Sequence, residues 1–417
     1  MDHTVPLVPL ALDPTGRARP TEEAALHAAG HATLVDILGV TAWSVSDPST
    51  LKALLNDPRV SKDPRQHWPA FINGEVTEKW PLALWVGVDN MFTAAGDNHR
   101  RLRRLVSKAF TARRTNDMVP RIEQLTTYLI NRMAQTSPGE SVDLREALAF
   151  PLPIQVIGDL MGLPEQTWPR FRTVVDGVFD TTLTTQEAAD NTMALYGILT
   201  ELVETKRTTP GEDLTSALIN IRDDEGDGAV LDEKELLDTL LLVISAGYET
   251  TVTLLDQAVS ALLTHPDQLA HVRAGRASWD DVIEETLRYA APISHLPLRY
   301  AVEDIDLPDG SVIRQGEAIL ASYGAAGRHP HLHGVTAGTF DVTRADKQHF
   351  SFGHGAHFCL GAPLARAEAR TALPALFNRF PDMTLAVRPE ELEPVASLLV
   401  NGHRTLPVQL QPRADNR

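Results

Sequence analysis

The chain contains one cysteine, Cys359, in 417 residues. A single cysteine cannot form an internal disulfide, so the sequence gives no sign of an oxidising compartment. No apolar run approaches the ~20 residues that a membrane-spanning helix needs. The N-terminal stretch has an acid at Asp2 and prolines at Pro6 and Pro9, and it lacks the basic and apolar segments of a signal peptide. We therefore expect a cytoplasmic protein with no membrane attachment.

Basic residues are also scarce, since 38 Lys and Arg face 55 Asp and Glu and leave a net charge of −17. Such an acidic chain is not expected to be a general nucleic-acid binder. The sequence has no internal repeat with a period of about 20–50 residues and no long low-complexity linker. These absences predict a single domain over residues 1–417.

Most of what is present has a helical pattern. Apolar residues recur at helical spacing in several segments, and Asp-Pro pairs mark both ends of the first of them. The pattern predicts helices over 47–60, 99–114, 119–135 and 192–207.

The longest helical pattern runs from Asp232, which with Glu235 resembles a capping pair, to Pro266. The segment between them has about 33 residues and would be roughly 50 Å long, enough to cross a whole domain. Strand signals are few and consist of a hairpin around Asp309–Gly310 and a short strand in 405–412. The predicted fold class is therefore mainly α with a small β region.

The single cysteine lies in an unusual loop, "SFGHGAHFCLG" (351–361), ahead of a predicted helix. Its glycines permit close approach to a flat body, and a thiolate near a helix N-terminus is stabilised by the helix dipole. The residues alone leave several interpretations open. Cys359 could be a small buried hydrophobe, a zinc ligand with His354, His357 or the histidines of "RHPHLH", a nucleophile with a histidine base, or the ligand of another metal.

The full loop pattern is more specific. Phe352, Gly355, His357, Cys359 and Gly361 match F-x-x-G-x-H-x-C-x-G, which resembles the haem-thiolate loop of the cytochrome P450 family. The resemblance implies that family's fold, with the long central helix over a haem b (iron protoporphyrin IX). It also implies that Cys359 is the axial ligand of the haem iron and that Phe352 borders the cofactor.

A second motif, "AGYETT" (246–251), lies within the long helix. Gly247 costs about 1 kcal/mol against Ala at such a position, and a tolerated kink is the simpler explanation. The motif resembles the family's oxygen-binding segment. The resemblance implies that Gly247 borders the cofactor, that Thr250 hydrogen-bonds dioxygen and that Glu249 supplies protons.

A third set of residues resembles the family's structural ion-pair triad. "EETLR" supplies Glu285 and Arg288, and the later "FDVTR" supplies Arg344. One departure from the family pattern is visible, because Gly327 in "AAGRHP" replaces an asparagine. We expect this change to loosen a local turn.

Basic residues with a role in cofactor binding are also implied. "HRRLRR" places His99 and Arg103 four apart on one helix face. Such residues form either a solvated basic face or a clamp for carboxylates. The resemblance assigns His99 and Arg103 to the haem propionates, together with Arg299 and His357.

The implied reaction is monooxygenation of a hydrophobic small molecule by O2. The chain has no G-x-G-x-x-G motif after a strand and no flavin domain, so electrons must come from a partner. Residues 99–114 carry seven basic residues and no acid, which suits docking of an acidic ferredoxin served by a ferredoxin reductase. A solvated helix face is the alternative. We expect the protein to be a monomer.

The substrate is expected to be a steroid, and a macrolide, a polyketide or another secondary metabolite is the alternative. A peroxide-using or ligand-binding haem protein is a further possibility, but it would not need Thr250 and Glu249. Apolar residues near the motifs predict the substrate pocket. The candidates are Trp85, Val86, Met91, Phe92, Val243, Ala246, Ile293, Leu296, Leu398 and Leu399.

Overall fold

The computed structural model describes residues 8–137, 139–222 and 228–410. Asp2 and Pro6, used above in the signal-peptide argument, lie outside the described residues, as do residues 411–412 of the predicted last strand. Within these ranges, no helix combines the length and the apolar character that crossing a membrane requires.

Helices make up most of the molecule. The α-helices are α1 (Arg19–Ala28), α2 (Pro48–Asn56), α3 (Pro64–His67), α4 (Pro69–Ile72), α5 (Ala83–Gly87), α6 (Gly96–Ala109), α7 (Ala112–Met133), α8 (Pro151–Met161), α9 (Trp168–Phe179), α10 (Thr185–Thr208), α11 (Leu214–Asn220), α12 (Glu233–Thr264), α13 (Pro266–Arg273), α14 (Trp279–Tyr289), α15 (Tyr323–Gly327), α16 (Pro330–His333) and α17 (Ala362–Arg379). A π-helix covers Arg145–Ala149, and 3-10 turns cover Glu165–Thr167, Gly334–Thr336, Gly355–His357 and Pro389–Glu391.

In the described part of the chain, the strands form three sheets. They are β1 (Leu10–Ala11), β2 (Ala32–Ile37), β3 (Val40–Val45), β4 (Val60–Ser61), β5 (Ser141–Asp143), β6 (Leu296–Ala301), β7 (Ile305–Asp306), β8 (Val312–Ile313), β9 (Ala318–Ala321), β10 (Thr384–Leu385) and β11 (Pro407–Gln409). The largest sheet has the order β1-β2-β3-β9-β6-β4, and the others are β10-β11-β5 and β7-β8.

Both strand predictions are confirmed. β7 and β8 pair antiparallel as a hairpin, and Gly310 in its turn has a φ of 85°, a conformation that glycine adopts without steric cost. β11 lies in the predicted last strand and pairs with β10 and β5.

The long central helix is also confirmed, as α12. Its N-terminus has the predicted capping box, in which the Glu235 N–H donates to Asp232 Oδ1 at 2.8 Å and the Asp232 N–H donates to Glu235 Oε2 at 3.0 Å. α12 ends at Thr264, just before Pro266 begins α13. Its 32 residues span about 48 Å and contact α8, α10, α14 and α17. The mainly helical fold class is therefore confirmed.

The prediction of one helix over 99–114 is wrong. α6 ends at Ala109, and α7 starts at Ala112 and continues to Met133. The Thr111 side chain accepts the Arg114 N–H at 3.2 Å, so it caps a new helix instead of continuing the old one. α7 then runs through Pro120, which the sequence pattern had placed near a helix start.

The predicted ion-pair triad is present in the core. Arg288 Nε lies 2.7 Å from Glu285 Oε2, and both side chains are fully buried. Arg344 Nε lies 3.4 Å from Glu285 Oε1. Arg288 also donates to the Gly327 carbonyl at 3.1 Å. A Cβ at position 327 would lie 2.6 Å from the Arg288 carbonyl oxygen, so the glycine here permits close packing, contrary to the expected loosening.

Candidate functional site

One cavity lies between α12, the Cys359 loop and β6. The space between these elements has a volume of about 1360 Å³, which includes open solvent at its mouth. The walls include these predicted site residues: Met91, Phe92, Arg103, Val243, Ala246, Gly247, Thr250, Ile293, Leu296, Arg299, Phe352, His357 and Cys359.

The loop that carries Cys359 is held by its own backbone and by α2. The Cys359 N–H donates to the Phe352 carbonyl at 2.8 Å. Gly355 has a φ of 71°, and a Cβ there would meet the Leu55 carbonyl at 2.7 Å, so both conformation and space require glycine. The loop therefore presents the sulfur to the cavity in a fixed position.

The groups around Sγ have opposing effects on the pKa of the Cys359 thiol. Burial raises the pKa of the Cys359 thiol above its ordinary value. The backbone N–H groups of Gly361 and Ala362, at the start of α17, oppose that rise, as do Arg103 and Arg366. A metal cation at the sulfur would supply the remaining stabilisation that a thiolate needs.

Basic groups gather at one edge of the cavity. The rings of His99 and His357 lie 4.0 Å apart between centroids. Burial, followed by Arg103 and Arg299, lowers the pKa of His99 to about 4. Burial also lowers the pKa of His357, and Arg299, His99, Lys62 and Arg103 lower it further. The charged groups that act on His357 are thus all basic, and this edge of the cavity needs anions.

A haem fits this set of residues. His99 Nε2 is buried without a hydrogen-bond partner, which is what a site for an absent carboxylate would leave. Arg103, Arg299, His99 and His357 would hold the two propionates. Cys359 would bind the iron, and α12 forms another part of the wall of the same cavity.

The middle of α12 borders the cavity through Gly247 and Thr250. A Cβ at Gly247 would lie 2.4 Å from Ile157 Cδ1, so the glycine lets α8 pack close against α12. The Thr250 hydroxyl donates to the Ala246 carbonyl at 2.6 Å. Thr250 and its neighbour Thr251 are the polar residues that α12 contributes to the cavity wall.

Glu249 does not line this cavity but faces the protein interior. It is 5% exposed, and its Oε1 accepts from Arg145 Nη2 at 3.2 Å and from Thr253 Oγ1 at 3.3 Å. Burial raises the pKa of Glu249 to about 7, although Arg145 opposes this rise. The carboxyl is thus poised between its protonated and ionised forms at neutral pH.

Several other predicted residues lie outside the cavity wall. Val86, Leu398 and Leu399 are at most 2% exposed and belong to the core beneath the large sheet. Trp85 donates from Nε1 to the Val178 carbonyl at 3.2 Å and packs against Phe92 and Phe179. These four side chains pack against other protein groups and do not border the cavity.

The zinc interpretation of Cys359 is not supported. Within the described ranges, the group of side chains placed like metal ligands is Asp47, His329 and His331. It includes histidines of "RHPHLH" but not Cys359, and His331 Nδ1 simply lies 3.0 Å from Asp47 Oδ2.

The sequence analysis missed two charged residues of the cavity wall, Lys62 and Glu368. Both carboxylate oxygens of Glu368 are buried without a hydrogen-bond partner, and burial raises its pKa well above the ordinary value. Its spacing of four from Leu364 on α17 was a usable signal, because it puts an acid on an apolar helix face. Lys62 had no such signal, since it follows a two-residue strand.

The chain is similar in sequence to known proteins. Residues 279–400 match the family model described as cytochrome P450. The chain is 43% identical over 409 residues to 2-hydroxy-5-methyl-1-naphthoate 7-hydroxylase of Streptomyces carzinostaticus, covering 98% of this chain and 99% of the relative.

Two solved structures are similar over nearly the whole chain. CYP154A1 from Streptomyces coelicolor A3(2) superposes with a TM-score of 0.92 at 60% identity, covering 96% of this chain and 100% of that one. CYP154C4 from Streptomyces sp. ATCC 11861, described as bound to testosterone, gives a TM-score of 0.93 at 42% identity, covering 98% and 100%.

Proposed function

This chain belongs to the cytochrome P450 family and is a haem-thiolate monooxygenase, and from this premise we propose that its substrate is a rigid, largely apolar fused-ring molecule. The observation that carries the proposal is the cavity wall near Thr250. Its substrate-side residues, Met91, Phe92, Val243 and Leu296, are aliphatic or aromatic. Most of the binding free energy would come from apolar burial, at about 25 cal/mol per Å².

The roles of the chain's own residues follow from their positions. When haem is bound, its chemistry places one oxygen atom of O2 into a C–H bond and releases the other as water. Cys359 would hold the iron, and the glycine-rich loop keeps the sulfur in place. Apolar side chains exclude water and orient the substrate under α12.

Proton supply is assigned to Thr250 and Glu249. The Thr250 hydroxyl reaches the cavity, whereas the Glu249 carboxyl is one residue away on the buried face of α12. With a pKa of about 7, the Glu249 carboxyl is protonated in part of the molecules at neutral pH, so it can release a proton toward the cavity when its side chain rotates. Electrons come from a redox partner, which we propose to be a ferredoxin.

A steroid remains the proposed member of this substrate class. The testosterone described for CYP154C4 supports the steroid, and the naphthoate in the other relative's name is also a fused-ring compound. Both molecules are rigid and mainly apolar. The two molecules therefore support a pocket that binds fused rings and that makes different polar contacts with different substrates.

The test is a ligand titration of the ferric haem-loaded protein. We expect testosterone and progesterone to shift the Soret band from low to high spin, as water leaves the iron site. Val243→Phe should weaken this shift by at least about tenfold, because it fills the wall at a residue that lines the cavity. A macrolide serves as the competing ligand.

The controls separate fold from substrate. The reduced, carbon-monoxide-bound spectrum of wild type and Val243→Phe should be the same, whereas Cys359→Ser should lose the red-shifted thiolate band. If fused-ring ligands give no shift while the macrolide does, the proposed substrate class is wrong.

A further inference from the structure

Lys62 is a buried lysine at the wall of the cavity. It follows β4 and is 3% exposed. Its Nζ lies 3.4 Å from the centroid of the Phe92 ring and 3.4 Å from the Pro297 carbonyl oxygen. The ring contact favours an ammonium ion, but one long carbonyl contact satisfies little of its hydrogen-bonding capacity.

The neighbours of Lys62 are basic. β4 pairs antiparallel with β6, with Ser61 opposite Tyr300, and extending this register by one residue puts Lys62 opposite Arg299. Burial lowers the pKa of Lys62 well below its ordinary value, and Arg299 lowers it further. A buried cation beside a second cation is costly unless an anion joins them.

At this edge of the cavity, the charges of the propionates are balanced without Lys62. The two propionates of a haem carry two negative charges, and Arg103 and Arg299 carry two positive ones. Cofactor and arginines therefore balance each other, and a charged Lys62 needs a third carboxylate.

We propose that Lys62 binds a carboxylate of the substrate, so that the fused-ring substrate of this enzyme, a steroid included, carries a carboxyl group and neutral steroids bind through their rings alone. This inference rests on the proposed function. The acid group would contact Nζ beside Phe92, while the ring system would lie along Met91 and Leu296 toward Thr250. The naphthoate in the name of the Streptomyces carzinostaticus relative belongs to the same chemical class.

The experiment compares an acid with its neutral ester. Haem-loaded wild type and Lys62→Met are titrated with 1-naphthoate and with methyl 1-naphthoate, and dissociation constants are read from the Soret shift. Methionine keeps the length of the side chain and removes the charge. We expect 1-naphthoate to bind the variant about thirtyfold more weakly, and the ester to bind both proteins within about twofold. Lys52→Met, at an exposed lysine of α2, is the matched control and should change neither constant.

Haem content per protein, measured on the same samples, separates the two possible sources of the carboxylate. The inference requires equal haem content in wild type and Lys62→Met. It is overturned if the variant loses haem while its preference for acid over ester stays that of wild type, because Lys62 would then serve a propionate. It is also overturned if acid and ester weaken equally, or if wild type does not bind 1-naphthoate. A wild type without the thiolate spectrum would instead contradict the proposed function.

Discussion

At the scale of single residues, Glu249 is the group whose surroundings are most informative. Arg145 lies against it from the π-helix, and the same guanidinium donates from Nη1 to Asp256 at 2.7 Å. Asp256 also accepts the His403 N–H at 2.7 Å. Asp176 faces the group from α9 and raises the pKa of Glu249. One arginine is therefore shared by two acids, and only Asp256 keeps a pKa below its ordinary value.

This sharing predicts a pH-dependent stability. The pKa of Glu249 is about 7 in the fold against an ordinary 4.5, so the folded state binds more protons between these values. The free energy of unfolding then falls as pH rises from about 4.5 through 7. Glu249→Gln lacks this titration. We expect its melting temperature to rise relative to that of wild type between pH 5 and pH 8, in thermal scans of the haem-loaded proteins.

The control is Glu123→Gln, at an exposed acid of α7, whose difference from wild type should be constant over the same range. Parallel melting curves for wild type and Glu249→Gln would show that Glu249 does not titrate as proposed. The proton-relay role would then lose its physical basis.

At the scale of elements, α6 connects the surface to the Cys359 loop. Arg103 Nη2 donates to the Phe358 carbonyl at 2.7 Å, next to the cysteine. Arg100 is on the exposed side of the same helix, with its side chain 69% exposed and paired to Asp97 within the helix. A partner that docks on α6 would thus deliver electrons close to the thiolate side of the haem.

Charge reversal at Arg100 tests this docking surface. We expect Arg100→Glu to slow ferredoxin-supported turnover several-fold and to flatten its dependence on salt, because exposed charges act over about 10 Å at 0.1 M salt. Peroxide-driven turnover should stay the same. Arg314→Glu reverses a similarly exposed arginine, 64% exposed, on the β7–β8 hairpin and should have no effect. Equal slowing by both variants would point to a general charge effect and not to docking on α6.

The same scale shows why local signals predicted some elements and not others. α12 and the Cys359 loop are encoded by caps, glycines and spacing within a few residues of each other, so the sequence was sufficient. The separation of α6 from α7 at Thr111 depends on one hydroxyl that caps α7. The spacing of apolar residues does not predict this cap. The importance of Lys62 depends on its position beside Arg299. The two residues are distant in sequence and lie close together only because β4 pairs with β6.

The substrate wall shows a second limit of prediction. Leu398 and Leu399 are aliphatic residues like Ile293 and Leu296, yet of these four only Ile293 and Leu296 border the cavity. Core and pocket are both apolar, and the difference between them is whether another protein group fills the neighbouring space. That depends on the packing of several elements, which one segment of sequence does not encode.

At the scale of the whole molecule, the Glu285–Arg288 pair joins segments that are far apart in sequence. Arg288 donates from α14 to the carbonyls of Gly327, Ala337 and Thr339 at 3.1, 2.7 and 2.8 Å. Glu285 accepts the Asp341 N–H at 2.7 Å. The pair thus holds the chain between α15 and the Cys359 loop against the helical core.

Removing one charge should therefore be costly for the fold. We expect Glu285→Gln to lower the free energy of unfolding by about 3–5 kcal/mol, because it leaves a buried guanidinium without its carboxylate. Glu391→Gln is the control, since the pair of Glu391 with Arg388 is exposed and its loss should cost much less than the loss of the buried pair. Denaturant unfolding followed by circular dichroism measures both. A similar small loss for the two variants would mean that the triad does not hold the fold together.

The contact between Gly247 and Ile157 has an evolutionary consequence. Alanine is the better helix former by about 1 kcal/mol, yet its Cβ would meet Ile157 Cδ1 at 2.4 Å. Cδ1 is the far end of a flexible side chain, so an alanine at position 247 requires Ile157 to change its rotamer or to lose that methyl group, for example through Ile157→Val. The two sites are therefore coupled, and we expect the residue on α8 to determine how much of the gain in helix propensity an alanine on α12 can realise.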